Sequence, residues 1–197
     1  RELLVTDRIA PAIGRRNESE LTTFACNDYL GLSHHPDVIE ASRRATAELG
    51  AGAGASRLVT GNHSLYEKLE SQLAELKNTD AAIVFGSGYL ANLGTIPALV
   101  GPDDLVLIDE YSHACLYSGA RLARSSVEAF RHNDIEHAAG LLAEHRGKHR
   151  HCLILTEGVF SMDGDRAPVP ELLHAANEHD AWLMVDDAHG LGVVGEG

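Results

Sequence analysis

Lysine is nearly absent: the 197-residue chain has three, Lys68, Lys77 and Lys148. Lysine and arginine together number 16 against 29 aspartates and glutamates, a formal charge of −13. A nucleic-acid-binding surface needs the opposite balance, so that class of partner is excluded. No run of about 18 apolar residues occurs, which excludes a membrane-spanning helix. Cysteine is limited to Cys26, Cys115 and Cys152, without a CxxC spacing. That excludes a disulfide scaffold and a zinc ribbon, and a reducing, cytoplasmic location is expected. No secretion signal is recognisable. The chain opens on Arg1 and closes on Val193-Val194-Gly195-Glu196-Gly197, which reads as part of a longer protein. What is abundant is apolar sequence, 44% of residues, in regularly spaced short runs. Disorder is excluded as the main state, and the length suits one ordinary domain with a substantial core.

The order of those runs predicts the architecture. The first twenty residues are mixed and charged and read as an arm or a short helix and loop, followed by an extended piece over 22–25. Asn27-Asp28-Tyr29-Leu30-Gly31 has turn chemistry. Pro36 starts a helix that runs to Leu49, and Gly50 to Ala55 alternates glycine and alanine, which permits close backbone approach. Ser64-Leu65-Tyr66-Glu67 reads as a capping box before a helix with Leu65, Leu69, Leu73 and Leu76 on one face. Strands are then expected at 81–85, 105–108, 126–130, 152–156 and 182–186. Helices are expected between them at 89–100, 113–123, 134–144 and 170–179. Short apolar strands alternating with helices predict an α/β fold of three layers, a mostly parallel sheet covered by helices.

Ligands of such sheets bind beyond the carboxyl ends of the strands. Gly86-Ser87-Gly88-Tyr89 follows one strand and opens a helix, which suits either a tight capped turn or a phosphate held by free N–H groups. It matches neither GxGxxG nor a Walker loop. His113 opens another helix, as a cap or as a ring that stacks or moves protons. Glu157 to Asp165 follows a third strand. Its Asp163-Gly164-Asp165 lacks the other ligands of a calcium loop. Val185-Asp186-Asp187-Ala188-His189 is the strongest signal, because a carboxylate at a buried strand end is costly without a partner. A protonated heterocycle nitrogen would be one. Together the four features describe a flat, phosphorylated, nitrogen-containing ring, which pyridoxal 5'-phosphate fits and nicotinamide does not.

In this order along the chain, Asn27-Asp28-Tyr29-Leu30-Gly31-Leu32, Gly52-Ala53-Gly54-Ala55-Ser56-Arg57 with Thr60-Gly61, Ser87-Gly88-Tyr89, Ser112-His113-Ala114, His132-Asn133-Asp134, Glu157 to Asp165 and Asp186-Asp187-Ala188-His189-Gly190 resemble the alpha-oxoamine synthase family, pyridoxal-phosphate enzymes of the aminotransferase-like fold (fold type I). The resemblance runs from about Phe24 to Gly195. It implies decarboxylative condensation of an amino acid with an acyl thioester in a homodimer with a shared active site. It implies phosphate held around Ser87, Gly88 and Tyr89, and His113 stacked on the ring. Asp186 would pair with the ring nitrogen, His189 and Ser161 would reach the phenolic oxygen, and Asn27 would lie near the substrate. Gly52 to Ser56 would lie at the subunit interface. Residues 1–35 would be an N-terminal segment and 36–197 the first part of the large cofactor-binding domain. No lysine matches the family's Schiff-base lysine, which is expected in a missing second half. The stretches 54–61 and 156–158 are most similar to members that join L-alanine to a pimeloyl thioester. Serine- or glycine-using members, a non-catalytic partner subunit and a simple nucleotide-binding module are the alternatives.

Overall fold

The computed structural model describes residues 4–195. They fall into two compact units, Arg1–Ile83 and Val84–Gly197.

The first unit opens with three antiparallel strands, β1 (Asp7–Ala10), β2 (Ile13–Arg16) and β3 (Ser19–Thr22), in the order β1-β2-β3. This corrects the expected arm or helix. Asn17 takes a left-handed conformation with φ of 55° and turns β2 into β3. Strands of four residues carrying five charged side chains have no apolar alternation to reveal them. Their arginines are engaged locally. Arg8 reaches Asp28 at 3.4 Å, Arg15 reaches Glu20 at 3.6 Å, and Arg16 donates to Thr6 Oγ1 at 3.0 Å. Gly31 closes the turn after Asn27 with φ of 66°.

Helix α1 (Pro36–Leu49) starts at its proline as expected. Helix α2 (Ser64–Lys77) does not use the expected capping box. His63 is the cap residue, no side chain caps the first turn, and Ser64 already lies inside the helix. Ahead of it, Arg57 makes two bonds to Glu70, at 2.6 and 2.9 Å, and lies 4.5 Å over the Tyr66 ring. Of the four leucines predicted for one face of α2, three are exposed, Leu65 by 50%, Leu69 by 43% and Leu76 by 64%, and Leu73 is half-buried. Among the described residues of this unit only Gly14 and Gly61 are buried. Its apolar surface therefore contributes little burial free energy within the unit itself.

The expected strand over 81–85 forms no ladder among the described residues. An apolar run becomes a strand only when a partner edge supplies the hydrogen bonds, and the run does not encode that partner.

The second unit is a three-layer α/β sandwich. Its parallel sheet has the order β5-β4-β6-β7, from β4 (Leu105–Asp109), β5 (Ser126–Phe130), β6 (Cys152–Glu157) and β7 (Trp182–Asp186). Both inner strands, β4 and β6, are buried along their whole length, which is why they read as unbroken apolar runs. Alternate residues serve opposite faces. Leu105, Leu107 and Ile154 pack under α5 (Ile135–His145) and α6 (Val169–Glu178). Val106, Ile108, Leu153 and Leu155 pack under α3 (Gly88–Leu99) and α4 (Ala114–Ala123). Two of these helices, α3 and α5, are capped by side chains legible in the sequence. Ser87 accepts from the Leu90 N–H at 3.2 Å, and Asp134 accepts from the His137 N–H at 2.9 Å.

Candidate active site

Three neighbouring strands end on carboxylates: β4 on Asp109, β6 on Glu157 and β7 on Asp186. Their surroundings separate them by use. Asp109 is fully buried and saturated. It accepts from the Tyr111 and Asn133 N–H groups, each at 2.9 Å, and meets His132 Nδ1 at 2.9 Å. The other side of His132 meets Asp165 Oδ2 at 2.7 Å, and its ring stacks on Tyr111. Burial pulls this imidazole down, but the two carboxylates win and raise it above its ordinary 6.5. This cluster ties the ends of β4 and β5 to the loop after β6. Asp109 itself has no exposed surface, and among the described residues no group of acidic, histidine or cysteine side chains is arranged to hold a metal.

Glu157 and Asp186 instead line a cleft with Gly88, Tyr89, His113, Cys115, Ala188 and His189. The parallel register places Glu157 opposite Asp186. Asp186 accepts from Asn92 Nδ2 at 2.7 Å and from the Ala188 N–H at 3.1 Å. His113 caps α4, its Nδ1 accepting from the Cys115 N–H at 3.2 Å. That bond occupies Nδ1, so Nε2 is the nitrogen left for a ligand. Helix α3 opens at the same cleft. Ser87 Oγ is used on Leu90, while the N–H groups of Gly88 and Tyr89 fall in the first turn, where helix geometry supplies no partner. A Cβ placed on Gly88 would meet nothing within 4 Å, so the mouth of the helix is open. Asp187 does not join the cleft. A Cβ on Gly158 would stand 2.7 Å from its carboxylate, and one on Gly190 would collide with it, so these glycines let the Asp187 side chain tie the loop after β7 to the loop after β6.

Of the residues singled out in the sequence, Gly88, Tyr89, His113, Asp186 and His189 line one cleft. Ser87 stands beside it as the helix cap. Ser161 is exposed and absent from the cleft lining, and its backbone N–H bonds the Glu157 carboxyl. Asn27 belongs to the first unit and is exposed. Two larger hollows, about 370 and 380 Å³, also lie in the first unit. The first is lined mainly by small and apolar residues, and the arginines of the second are already engaged. Neither offers convergent reactive groups.

Sequence reasoning missed Cys115 and Asn92 as parts of the site, and it included Glu157 only within the stretch 157–165, without a role of its own. The available signals were a carboxylate closing an apolar strand, a cysteine two residues after His113, and one amide in an otherwise apolar helix. Glu157 is 3% exposed and accepts from the His113 N–H at 2.5 Å. Burial pushes its carboxyl above the ordinary 4.5, Asp186 adds to the rise, and the His113 N–H opposes it. The folded state therefore holds a proton that the unfolded chain has released, and stability falls as pH rises from 4.5 upward through the raised value. Glu157→Gln keeps an acceptor for the His113 N–H and removes this slope. In urea titrations of the full-length protein, the variant gains on the wild type as pH rises across that window. A constant difference would contradict the assignment.

The aminotransferase class I and II family model matches residues 19–197. An 8-amino-7-oxononanoate synthase of Methylorubrum extorquens is 59% identical over 197 residues, 100% of this chain and 51% of the relative. A serine palmitoyltransferase structure from Sphingomonas wittichii superposes with a TM-score of 0.94 at 36% identity, covering 98% of this chain and 48% of that one. A structure described as SPT with PLP gives a TM-score of 0.94 at 33% identity, covering 98% of this chain and 49% of that one. The chain spans about half the length of the curated relatives it matches. With the family model, the curated relatives and the fold in agreement, the chain belongs to the aminotransferase class I and II family, in its alpha-oxoamine synthase branch.

Proposed function

We propose that the full-length protein is a pyridoxal-phosphate-dependent acyltransferase that condenses L-alanine with a pimeloyl thioester, releasing carbon dioxide and the free thiol and forming 8-amino-7-oxononanoate for biotin synthesis. The observation that carries this reading is one cleft lined by the Asp186 carboxylate, the His113 ring, His189 and the open N-terminus of α3.

The residues fit the cofactor on chemical grounds. Gly88 and Tyr89 offer first-turn N–H groups, and the absence of a side chain at Gly88 leaves the helix mouth open, as a phosphate needs. His113 offers a flat ring and Asp186 an acceptor for a protonated ring nitrogen. The chemistry pyridoxal phosphate supplies when bound is an electron sink for negative charge at the amino acid's α-carbon. Asp186 keeps that sink effective by holding the proton on the ring nitrogen. His113 orients the ring and, through Nε2, holds or moves a proton at the α-carbon. His189 would hold the phenolic oxygen, and Ser161, outside the lining of the cleft, is assigned as a second donor on the family resemblance alone. None of Lys68, Lys77 and Lys148 lines the cleft, so the anchoring lysine is assigned to the remainder of the full-length protein. A homodimer with Gly52 to Ser56 at its interface belongs to the same reading. So does a cytoplasmic location, which three free cysteines suit. Among the described residues no helix is long and apolar enough to cross a membrane.

Alanine, serine and glycine crossed with pimeloyl, palmitoyl and acetyl thioesters on the full-length protein test this. The expected result is highest kcat/KM for alanine with the pimeloyl thioester. A preference for serine with the palmitoyl thioester would favour the second reading, which the similarity to the Sphingomonas wittichii structure motivates. Failure to take up pyridoxal phosphate at all would favour a non-catalytic partner subunit.

A further inference from the structure

Helix α3 does more than open at the cleft. Gly88, Asn92 and Ile96 lie four residues apart and so share one face of it. Gly88 is at the mouth, Ile96 is fully buried, and Asn92 between them is 5% exposed. A polar side chain buried in an apolar helix persists when its hydrogen bonds are made. Asn92 has one amide nitrogen with two hydrogens. It donates to Asp186 Oδ2 at 2.7 Å and to Cys115 Sγ at 3.1 Å. The carboxylate oxygen fixes which end of the amide faces it, because only a donor is tolerated there. Cys115 Sγ in turn lies 2.8 Å from His113 Nδ1. The close approach of the two helices has a visible cause. Gly119, one turn beyond Cys115 on the same face of α4, would with a Cβ stand 2.6 Å from Ile96 Cδ1 and 3.0 Å from the Asn92 carbonyl oxygen. Only glycine lets α4 come near enough for Cys115 to reach the amide.

We propose that Asn92 is a positioning residue that holds the Asp186 carboxylate and, through Cys115, the His113 ring in one shared arrangement. The inference rests on the functional reading above. The amide meets Asp186 from β7 and Cys115 from α4; the cleft beyond them carries Glu157 from β6, His113 at the head of α4 and His189 in the loop after β7.

The test uses the full-length protein with Asn92→Ala and with Asn92→Asp, which keeps the volume and removes the donor. The readouts are pyridoxal phosphate affinity, by titration of visible absorption, against pH, and the split between kcat and KM. Both variants are expected to lose at least about tenfold in cofactor affinity at neutral pH, and kcat is expected to fall more than the amino-acid KM changes. Asn92→Asp recovers relative to wild type as pH falls, because a protonated carboxyl donates where a carboxylate cannot; Asn92→Ala does not recover. In an Asp186→Asn background, Asn92→Ala adds little, since the two act as a unit. If Asn92→Ala does not fold, Asn92→Asp carries the test alone. Wild-type affinity and pH dependence in Asn92→Asp, or additive losses in the double variant, would overturn the proposal while leaving the functional reading intact. A wild-type protein that binds no pyridoxal phosphate would overturn both.

Discussion

Asp186→Ala in the full-length protein is expected to lower kcat by about 10²–10³ or more, the scale set when a preorganised charge facing the reacting system is removed. Asp186 ends β7 with its oxygens already oriented by Asn92 and Ala188, so no reorganisation is needed when a cationic nitrogen arrives. Asp186→Asn fills the same volume and separates charge from shape. Under the proposed mechanism it loses nearly as much turnover as the alanine variant, and cofactor affinity falls in both. Steady-state kinetics with a cofactor titration checks this. Turnover that survives Asp186→Ala would remove the carboxylate from the mechanism, whatever else lines the cleft.

The largest expected loss of stability lies at the opposite end of the sheet. Asp104 is fully buried just before the central strand β4. Its carboxylate accepts from the Gly101 N–H at 2.7 Å, from the His151 N–H at 3.0 Å, and from Arg150 through Nε at 3.2 Å and Nη2 at 3.1 Å. It thereby joins the entries of β4 and β6, the two inner strands. Asp104→Ala strands two N–H groups, and at about 1–3 kcal/mol for each unsatisfied group the cost is about 3 kcal/mol. Arg150 is 64% exposed and is rehydrated, so it adds little. Burial alone would raise the Asp104 carboxyl, but Arg150 and the two N–H groups hold it below its ordinary 3.8. The contribution is therefore complete above 3.8 and is lost as pH falls below it through the lowered value. Urea unfolding of wild type and Asp104→Ala should differ most at neutral pH and converge in acid. A difference that does not shrink in acid would contradict the ionic origin.

The sheet and its helices were legible because periodicity and capping agree there. Residues 105–109 and 152–157 are continuous apolar runs ending in a carboxylate, and Asp134 announces the helix it caps. The first unit was less legible. Four-residue strands such as Ile13–Arg16 have too few positions for a pattern, and a serine followed by a glutamate three residues later did not become a cap once His63 took that place. The run over 81–85 has strand composition, but pairing is a property of two segments.

For the cleft, sequence alone determined which residue types stand at the strand ends: a glycine-opened helix, His113, Asp186 and His189, in an order characteristic of one family. That information is local, carried by spacing along the chain. Tertiary structure decided which strand-end carboxylate is sealed and which is open, since Asp109 and Asp186 look alike in sequence and differ only in what folds over them. It also brought Asn92 to Asp186, 94 residues apart, through a hydrogen bond that no local pattern encodes. The physical reason is that burial and hydrogen-bond partnership depend on the packing of α3 and α4 on the sheet, which a single chain segment does not contain.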